Sequence, residues 1–204
     1  MKTHLLKGAL YKNNNLYQLQ DLLKRGNKKH LRFKPVQKLI KKNSTLIDIC
    51  GGCGWLKPHL DDSIKYTVAD ASNEFKKTCI EDGTNFVHLN CKNFNTIKNK
   101  YDYSVIIISL YQFKKNVQDV IKKLKKISKK KVIAVEEIKF KKKINTFFYI
   151  KKKVIDYLCY TDFYRENNDL FTFSEFKILM KKNKFILNKK YINNNVLIGV
   201  FNIR

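Results

Sequence analysis

Residues 45–55 read TLIDICGGCGW, and this stretch decides the fold class. Its first half, Leu46–Ile49, has the largely apolar composition of a buried β-strand and is followed at once by the glycine-rich segment Gly51–Gly54. Glycines tolerate positive φ and let a ligand approach the backbone closely. In open α/β sheets, ligands bind beyond the carboxyl ends of the strands. We therefore expect a strand, a ligand loop, and then a helix from about Trp55 whose amino end points at the ligand.

Two known nucleotide-binding patterns could account for this glycine-rich loop. The dinucleotide fingerprint G-x-G-x-x-G fails, because its third glycine falls on Lys57. Residues Asp48–Gly54 instead resemble the D-x-G-x-G-x-G loop of class I S-adenosylmethionine-dependent methyltransferases, with Cys50 in place of the first glycine. The resemblance implies that the methionine end of the cofactor, S-adenosylmethionine, lies along this loop. The cofactor-binding candidates in the loop are Asp48, Cys50, Gly51, Gly52 and Gly54.

The ends of later predicted strands supply the other cofactor-binding candidates. Asp70 ends the second strand, Ile64–Ala69, where one carboxylate can accept hydrogen bonds from both ribose hydroxyls. By the resemblance, the adenine lies between Ala71 and the pair Asn90–Cys91, which follows the third strand. An acid often stands at the Asn90 position in this family, and an amide oxygen can accept the same hydrogen bond. Ser109, at the end of the fourth predicted strand, is the last of the cofactor-binding candidates.

The remaining pattern predicts parallel βα units followed by a terminal hairpin. The segment Tyr101–Ile108 is a continuous apolar strand, Val117–Ile127 an amphipathic helix, and Val132–Val135 the fifth strand. Two further strands, Phe185–Ile192 and Val196–Ile203, flank an asparagine-rich turn. The class I methyltransferase fold has such a hairpin after five parallel units. We therefore expect an α/β three-layer sandwich with a mostly parallel seven-stranded sheet and a C-terminal antiparallel hairpin.

The expected domain organisation is simple. Residues 1–43 are expected to form an N-terminal helical cap, with helices packed on the sheet face as the alternative, and residues 44–204 are expected to form the methyltransferase-like domain. An insertion at about 139–173 interrupts the βα pattern with many aromatic residues, and it is predicted to be a lid over the ligand crevice. The helix after it is expected to begin at Ser174, a residue type that caps helix amino ends well.

Candidate catalytic residues follow from the chemistry of methyl transfer. The reaction is a direct displacement, so alignment of the reactants supplies most of the catalysis, and a base is needed only for a protonated nucleophile. Glu136 and Tyr111 lie after strands whose ends face the methyl group, and Tyr164 lies in the insertion. Glu137, beside Glu136, lies near the methyl by the same rule, and Asp102 is expected to be structural because it begins its strand.

Three functions are compatible with the resemblance. The aromatic insertion favours methyl transfer to a small, partly apolar acceptor, because it can form a lid and an apolar pocket. Methyl transfer to RNA is the alternative that the basic charge supports. Residues 109–112, SLYQ, lack the N/D-P-P-Y/F sequence of adenine N-methylating members, and Ser109 replaces the Asp of ribose-methylating ones. A non-catalytic partner subunit that retains the fold is the third reading.

Composition narrows the class of protein. A hydrophobic content of 44% in 204 residues suits a folded domain, and no apolar run reaches the ~18 residues of a membrane span. The net charge of +26 comes almost entirely from lysine, whereas arginine, the preferred residue for phosphate and base recognition, occurs four times. The lysines are therefore interpreted as solvated surface, with RNA left open as a partner. The start of the chain lacks a secretory signal, so a cytoplasmic, reducing location is expected.

Cysteine spacing offers a competing interpretation of the loop. Cys50 and Cys53 form a C-x-x-C, which is typical of redox and zinc sites. No second pair stands at metal-binding spacing, and this pair lies inside the glycine-rich loop. We expect free thiols and no metal.

Overall fold

The computed structural model describes residues 32–90, 94–139, 170–187 and 196–203. Its helices and strands, in chain order, are α1 (Lys34–Gln37), β1 (Thr45–Ile49), β2 (Lys65–Asp70), α2 (Asn73–Glu81), β3 (Asn85–His88), β4 (Tyr101–Ile107), α3 (Val117–Ile127), β5 (Ser128–Lys139), β6 (Phe171–Thr172), α4 (Phe173–Lys182), β7 (Ile186–Leu187) and β8 (Val196–Asn202). Two 3-10 segments, Lys57–His59 and Leu110–Asn116, connect them.

The strands form one sheet in the order β3-β2-β1-β4-β5-β8-β7. Strands β1 to β5 are parallel, whereas β8 runs antiparallel to β5 and β7 antiparallel to β8. The expected mostly parallel sheet with a C-terminal antiparallel pair is therefore confirmed, and the two-residue β6 adds an eighth strand beside β5. The strand order reverses between β1 and β4, which is where open α/β sheets bind ligands.

Helices cover both faces of this sheet, as a three-layer architecture requires. On one face, α3 and α4 bury Leu124 and Phe176 against the sheet. On the other face, Val36 of α1 and Cys79 of α2 pack against β1 and β2. Because both faces are covered, the central strands are mostly apolar, and residues 46–49 of β1, including Asp48, are all buried.

Glycine at position 199 lets α4 pack closely on β8. A Cβ atom at this residue would overlap Sδ of Met180 and would stand 3.2 Å from its Cγ. The side chain of Met180 therefore occupies the space that a larger residue in β8 would need.

Two predicted helix starts are wrong. The short helix expected from about Trp55, with a possible break at Pro58, is the three-residue 3-10 segment Lys57–His59, which has Pro58 in its first turn. Helix α4 begins before Ser174. Thr172 caps it, with its Oγ1 accepting from Glu175 N at 3.2 Å and its own N donating to Glu175 Oε2 at 2.7 Å. The reciprocal bonds of this capping box outcompete a single serine cap.

The edge of the sheet opposite the ligand loop is held by charged and polar side chains. Oδ2 of Asp102 accepts hydrogen bonds from N and Oγ1 of Thr45 at 2.9 and 3.0 Å, and Oδ1 lies 2.9 Å from Nζ of Lys130. The hydrogen bond from the Thr45 backbone is the main reason that the pKa of Asp102 is lowered. The expected structural role of Asp102 is consistent with these contacts.

Several predicted features lie outside the described residues. They are positions 1–31 of the expected N-terminal cap, most of the predicted lid, and the turn of the terminal hairpin. Within the described ranges, no helix has the length and hydropathy needed to cross a membrane.

Candidate functional site

The loop after β1 has an alternating left-handed backbone. The φ angles are +56° at Cys50, +58° at Gly52 and +75° at Gly54. These are the three positions at which the D-x-G-x-G-x-G pattern places glycine. A left-handed conformation costs a non-glycine residue roughly 1–2 kcal/mol, so Cys50 is strained where glycine would not be.

Gly51 lies between these positions and is required for a different reason. A Cβ atom on Gly51 would be 2.8 Å from Cγ and 2.9 Å from Oδ2 of Asp48. Real Cβ atoms do not approach other heavy atoms so closely. The Asp48 carboxyl therefore packs directly against the backbone of the loop.

The Asp48 carboxyl is buried, with only 3% of the residue exposed. Its Oδ2 accepts a 2.7 Å hydrogen bond from the Tyr66 hydroxyl, whereas Oδ1 has no hydrogen-bond partner among the described residues. Burial raises the pKa of Asp48 to about 7, and the charge of Asp70 adds to the increase, while Tyr66 and Arg32 oppose it. A buried polar atom without a partner is rare in folded proteins and commonly marks a functional position.

Asp70 connects the end of β2 to the loop. Its Oδ2 accepts from Gly52 N and its Oδ1 accepts from Ser72 N, each at 3.0 Å. Burial raises the pKa of Asp70, and the backbone hydrogen bonds limit that increase. Ala71 is a further backbone hydrogen-bond donor to this carboxyl. A carboxylate has about four acceptor sites, so acceptor capacity remains for a further donor such as a ribose hydroxyl.

The other cofactor-binding candidates stand at neighbouring strand ends. Asn90 is exposed just after β3, and Leu89 N donates to Asp70 O at 2.8 Å, which brings this end close to Asp70. Ala71 is half-buried. Ser109 is buried after β4, and its Oγ donates to Ile107 O at 3.1 Å. Cys91 lies outside the described residues.

The catalytic candidates Glu136 and Tyr111 contact each other through a backbone bond. Oε2 of Glu136 accepts from Tyr111 N at 3.0 Å, and Oε1 accepts from Glu137 N at 3.3 Å. Glu136 is fully buried, and Tyr111 is 9% exposed. The carboxylate thus fixes the segment after β4 to β5. Tyr164, the third candidate, lies outside the described residues.

Sequence reasoning missed Arg32. Its guanidinium Cζ lies 4.7 Å from the centroid of the Phe33 ring and 5.6 Å from that of Trp55, the residue directly after the loop. Its positive charge also acts on Asp48, where it opposes the rise in pKa that burial causes. The available signal was the scarcity of arginine in a lysine-rich chain, which makes each arginine informative.

The cysteines around the loop are free thiols. Cys50 is partly exposed, whereas Cys53 and Cys79 are buried. Burial raises the pKa of Cys79 to about 11 and raises the pKa of Cys53 further, so both thiols stay protonated and unreactive at neutral pH. In the described parts of the chain, no three His, Cys, Asp or Glu side chains are grouped as a metal site would require.

The residues present fit an S-adenosyl ligand by two independent observations. Gly52 has a left-handed φ of +58° and carries no side chain, so a ligand can approach the loop backbone there. The unpartnered Oδ1 of Asp48 and the remaining acceptor sites of Asp70 offer polar partners on either side of it.

Several solved structures similar to this chain are described as S-adenosylmethionine-dependent methyltransferases or as methyltransferases. One from Aquifex aeolicus has a TM-score of 0.60 at 13% sequence identity, and the match covers 94% of this chain and 98% of the other. One from Thermotoga maritima has a TM-score of 0.62 at 13% identity, covering 96% and 98%. The plantazolicin methyltransferase BpumL, in complex with S-adenosylhomocysteine, has a TM-score of 0.63 at 13% identity, covering 94% and 88%. At these identities the likeness shows the fold alone.

Sequence comparison adds the family. A search of curated proteins gave no match. The family model described as methionine biosynthesis protein MetW matches residues 30–197, which include the ligand loop, every described parallel strand and both catalytic candidates on β5 and after β4. The chain has the class I S-adenosylmethionine-dependent methyltransferase fold and belongs to the MetW family.

Proposed function

We propose that this chain is an S-adenosylmethionine-dependent methyltransferase. The observation that carries the proposal is the 3.0 Å hydrogen bond from Gly52 N to Asp70, which joins a left-handed glycine loop to the acid at the end of the next strand. A strand-end turn without a ligand would need neither three alternating left-handed positions nor a buried carboxylate beside them. The fold of the chain and of its structural neighbours agrees with this chemistry.

The proposed binding mode uses three strand ends. The methionine end of the cofactor lies along Asp48–Gly54, the ribose is bound by Asp70, and the adenine lies between Ala71 and Asn90. When bound, the cofactor supplies a methyl group activated by the positively charged sulfur. Ser109, buried at the end of β4, lines the side on which that methyl would stand.

The chain's own contribution to the reaction is positioning. Glu136 is fully buried and accepts two backbone N–H groups, so we assign it to holding Tyr111 in place and not to taking up a proton. Tyr111, which is 9% exposed, remains the candidate that contacts the acceptor. Fixed alignment of acceptor and methyl can supply several kcal/mol of the barrier reduction, roughly 7–11 kcal/mol at most.

The proposed acceptor is a small, partly apolar molecule. This rests on the aromatic composition of residues 139–173, most of which lie outside the described residues, and on the printed substrate of the neighbour BpumL, plantazolicin. RNA is the alternative acceptor that the net charge of +26 supports. A non-catalytic partner subunit is supported by the strained Cys50 and by Asn90, the two departures from the family pattern.

One labelling experiment distinguishes the three possibilities: a small-molecule acceptor, an RNA acceptor and a non-catalytic subunit. The purified protein is incubated with methyl-labelled S-adenosylmethionine and a cell extract, which is then fractionated into small molecules, RNA and protein. We expect label among the small molecules. Label in RNA would overturn the proposed acceptor, and no label above that of an Asp70→Ala control would favour the non-catalytic subunit.

A further inference from the structure

The two ends of the sheet differ in charge. At the end opposite the ligand loop, strands β4 and β5 begin and helices α3 and α4 end. A group of exposed lysines lies there, and we call it the basic end: Lys100, Lys126, Lys129, Lys130, Lys181, Lys182 and Lys184. The acids of the same two helices, Asp119 and Glu175, lie in the first turns, at the other end of the sheet.

Contacts between the elements make the basic end one continuous surface. Nζ of Lys125 in α3 donates to Asn183 O, directly after α4, at 2.8 Å. Tyr101, which follows Lys100, pairs with Ser128 at the start of β5. Lysines that the sequence separates widely are therefore neighbours in the fold.

Little negative charge offsets the basic end. In the described parts of the chain, Lys130 is its one lysine with a carboxylate partner, Asp102, at 2.9 Å. Burial lowers the pKa of the adjacent Lys125, and the positive charge of Lys184 lowers it further. Like charges gathered in this way destabilise the compact state, so a bound polyanion would relieve their repulsion.

Helix dipoles explain part of this arrangement but not all of it. Basic side chains in the last turn of a helix interact favourably with its carbonyl end, which accounts for the lysines that end α3 and α4. Lys100, Lys129 and Lys184 lie outside helices, where no such dipole acts. A lysine-rich composition does not explain the separation either, because it would place lysines equally well at both ends.

The chemistry of the basic end suits a phosphate backbone better than a protein or a membrane. Protein interfaces are depleted of lysine and centred on apolar or aromatic anchors. Stable membrane anchoring likewise needs an apolar insertion or a lipid in addition to basic charge. Among the described residues, the large exposed apolar side chain beside the basic end is Ile186, and one such residue does not form an anchor.

The form of the nucleic acid follows from the elements that build the surface. Helices α3 and α4 bury Leu124 and Phe176 against the sheet, so neither is free to enter the groove of a duplex. The basic residues are all lysines, which act as point charges, whereas base edges are read most often by the planar fork of arginine. A flexible single strand, contacted through its phosphates, fits this surface.

We propose that the basic end binds the phosphate backbone of single-stranded RNA without sequence preference. Strand β4 has seven residues, so roughly 20 Å separate this surface from the crevice at the other end of the sheet. The basic end is therefore a docking surface, and the RNA held there is not the methyl acceptor. This proposal does not depend on the proposed function, and it is compatible with a small acceptor in the crevice.

Two variants with the same net charge test the location of the surface. The neutralised variant replaces four lysines of the basic end that have no carboxylate partner among the described residues: Lys126→Gln, Lys129→Gln, Lys182→Gln and Lys184→Gln. The matched control replaces four exposed lysines on or beside α1 and α2: Lys34→Gln, Lys38→Gln, Lys76→Gln and Lys77→Gln. Fluorescence anisotropy measures the binding of a labelled oligouridylate of about 20 nucleotides, longer than a typical single-strand site.

The expected losses are confined to the neutralised variant. The wild type should bind with a dissociation constant of roughly 1–100 μM near physiological salt, the range of binding without sequence preference. The neutralised variant should bind about tenfold more weakly or worse, whereas the control should stay within about threefold of the wild type. Loss of four phosphate contacts should also reduce the dependence of log K on log salt by about 2–3, at about 0.7 per contact with a single strand.

Other outcomes contradict the proposal. Equal weakening in the two variants would show that net charge alone attracts RNA, and absence of RNA binding by the wild type would remove the docking surface. Tighter binding to vesicles of an anionic phospholipid, or to a DNA duplex, would assign the basic end to a different partner. A wild type that binds RNA but not S-adenosylhomocysteine would overturn the proposed function and leave this proposal standing.

Discussion

The Tyr66 hydroxyl on β2 donates a 2.7 Å hydrogen bond to the Asp48 carboxyl on β1, and both side chains are buried. Burial, together with the neighbouring Asp48, holds the pKa of Tyr66 well above its usual range, so the proton stays on the phenol. Asp48 itself has a pKa of about 7. Of these two hydrogen-bonded groups, the one that titrates near neutral pH is therefore Asp48.

Asp48 makes the stability of the fold depend on pH. In the folded protein the Asp48 carboxyl keeps its proton up to about pH 7. In the unfolded chain the same carboxyl loses its proton near pH 3.9, roughly the ordinary value. Between these values the folded state binds more protons, so the free energy of unfolding falls as pH rises. Asp48→Asn should remove this contribution, and urea denaturation between pH 5 and pH 8 would measure it.

The control for that experiment is Asp102→Asn. The pKa of Asp102 is lowered, so its contribution is present above the pKa of the unfolded chain and is lost only as the solution becomes more acidic. The slope between pH 5 and pH 7 should survive in this variant. The raised pKa of Asp70 contributes a slope of the same sign, so an undiminished slope in Asp48→Asn, and not a residual one, would contradict the assignment of the titration to Asp48.

Asp70→Ala should weaken binding of S-adenosylhomocysteine. The variant leaves the ribose hydroxyls without their acceptor, at a cost of about 1.5–3 kcal/mol for hydrogen bonds to a charged group. The 2′-deoxy analogue of the ligand, which has one hydroxyl fewer, should lose less affinity than the parent. Asp102→Ala, at the far edge of the sheet, is the matched control. Unchanged affinity in Asp70→Ala by calorimetry would remove Asp70 from the site.

Cys50→Gly and Gly51→Ala should change stability in opposite directions. Glycine at position 50 releases the left-handed strain at φ +56°, a gain of about 1 kcal/mol after the entropy that glycine adds to the unfolded chain. A Cβ at position 51 would collide with Asp48 and should cost roughly 1–3 kcal/mol. Thermal unfolding of both variants checks this, and a destabilised Cys50→Gly would show that the thiol has a compensating contact.

Glu136→Ala should loosen the segment after β4. Removal of the carboxylate leaves the buried N–H of Tyr111 without its acceptor, at a cost of about 1–3 kcal/mol. Hydrogen exchange at the Tyr111 amide should accelerate in the variant more than exchange at amides in β1. Equal protection of the Tyr111 amide in both proteins would disprove the positioning role.

The central sheet could be predicted from the sequence because its signals are local. Continuous apolar runs predicted β1 and β4. The apolar spacing of Val117–Ile127 predicted the same bounds for α3 that the structure has. Asp70 could be placed as well, because a strand end fixes its position in the crevice.

The features that sequence reasoning missed depend on contacts between distant segments. Strand β5 extends past Val135 because Glu136 and Glu137 pair with Leu197 and Val196 of β8, and this pairing buries Glu136. The position of Arg32 beside the loop likewise requires packing of the first described residues on Trp55. Neither contact leaves a periodic pattern in the sequence.

Calorimetry of the wild-type chain with S-adenosylhomocysteine is the most direct test of the central claim. The loop and Asp70 predict one bound ligand per chain with a dissociation constant in the micromolar range, about −8 kcal/mol. Absence of binding at millimolar ligand, by a chain shown to be folded, would contradict the claim that this crevice holds an S-adenosyl ligand.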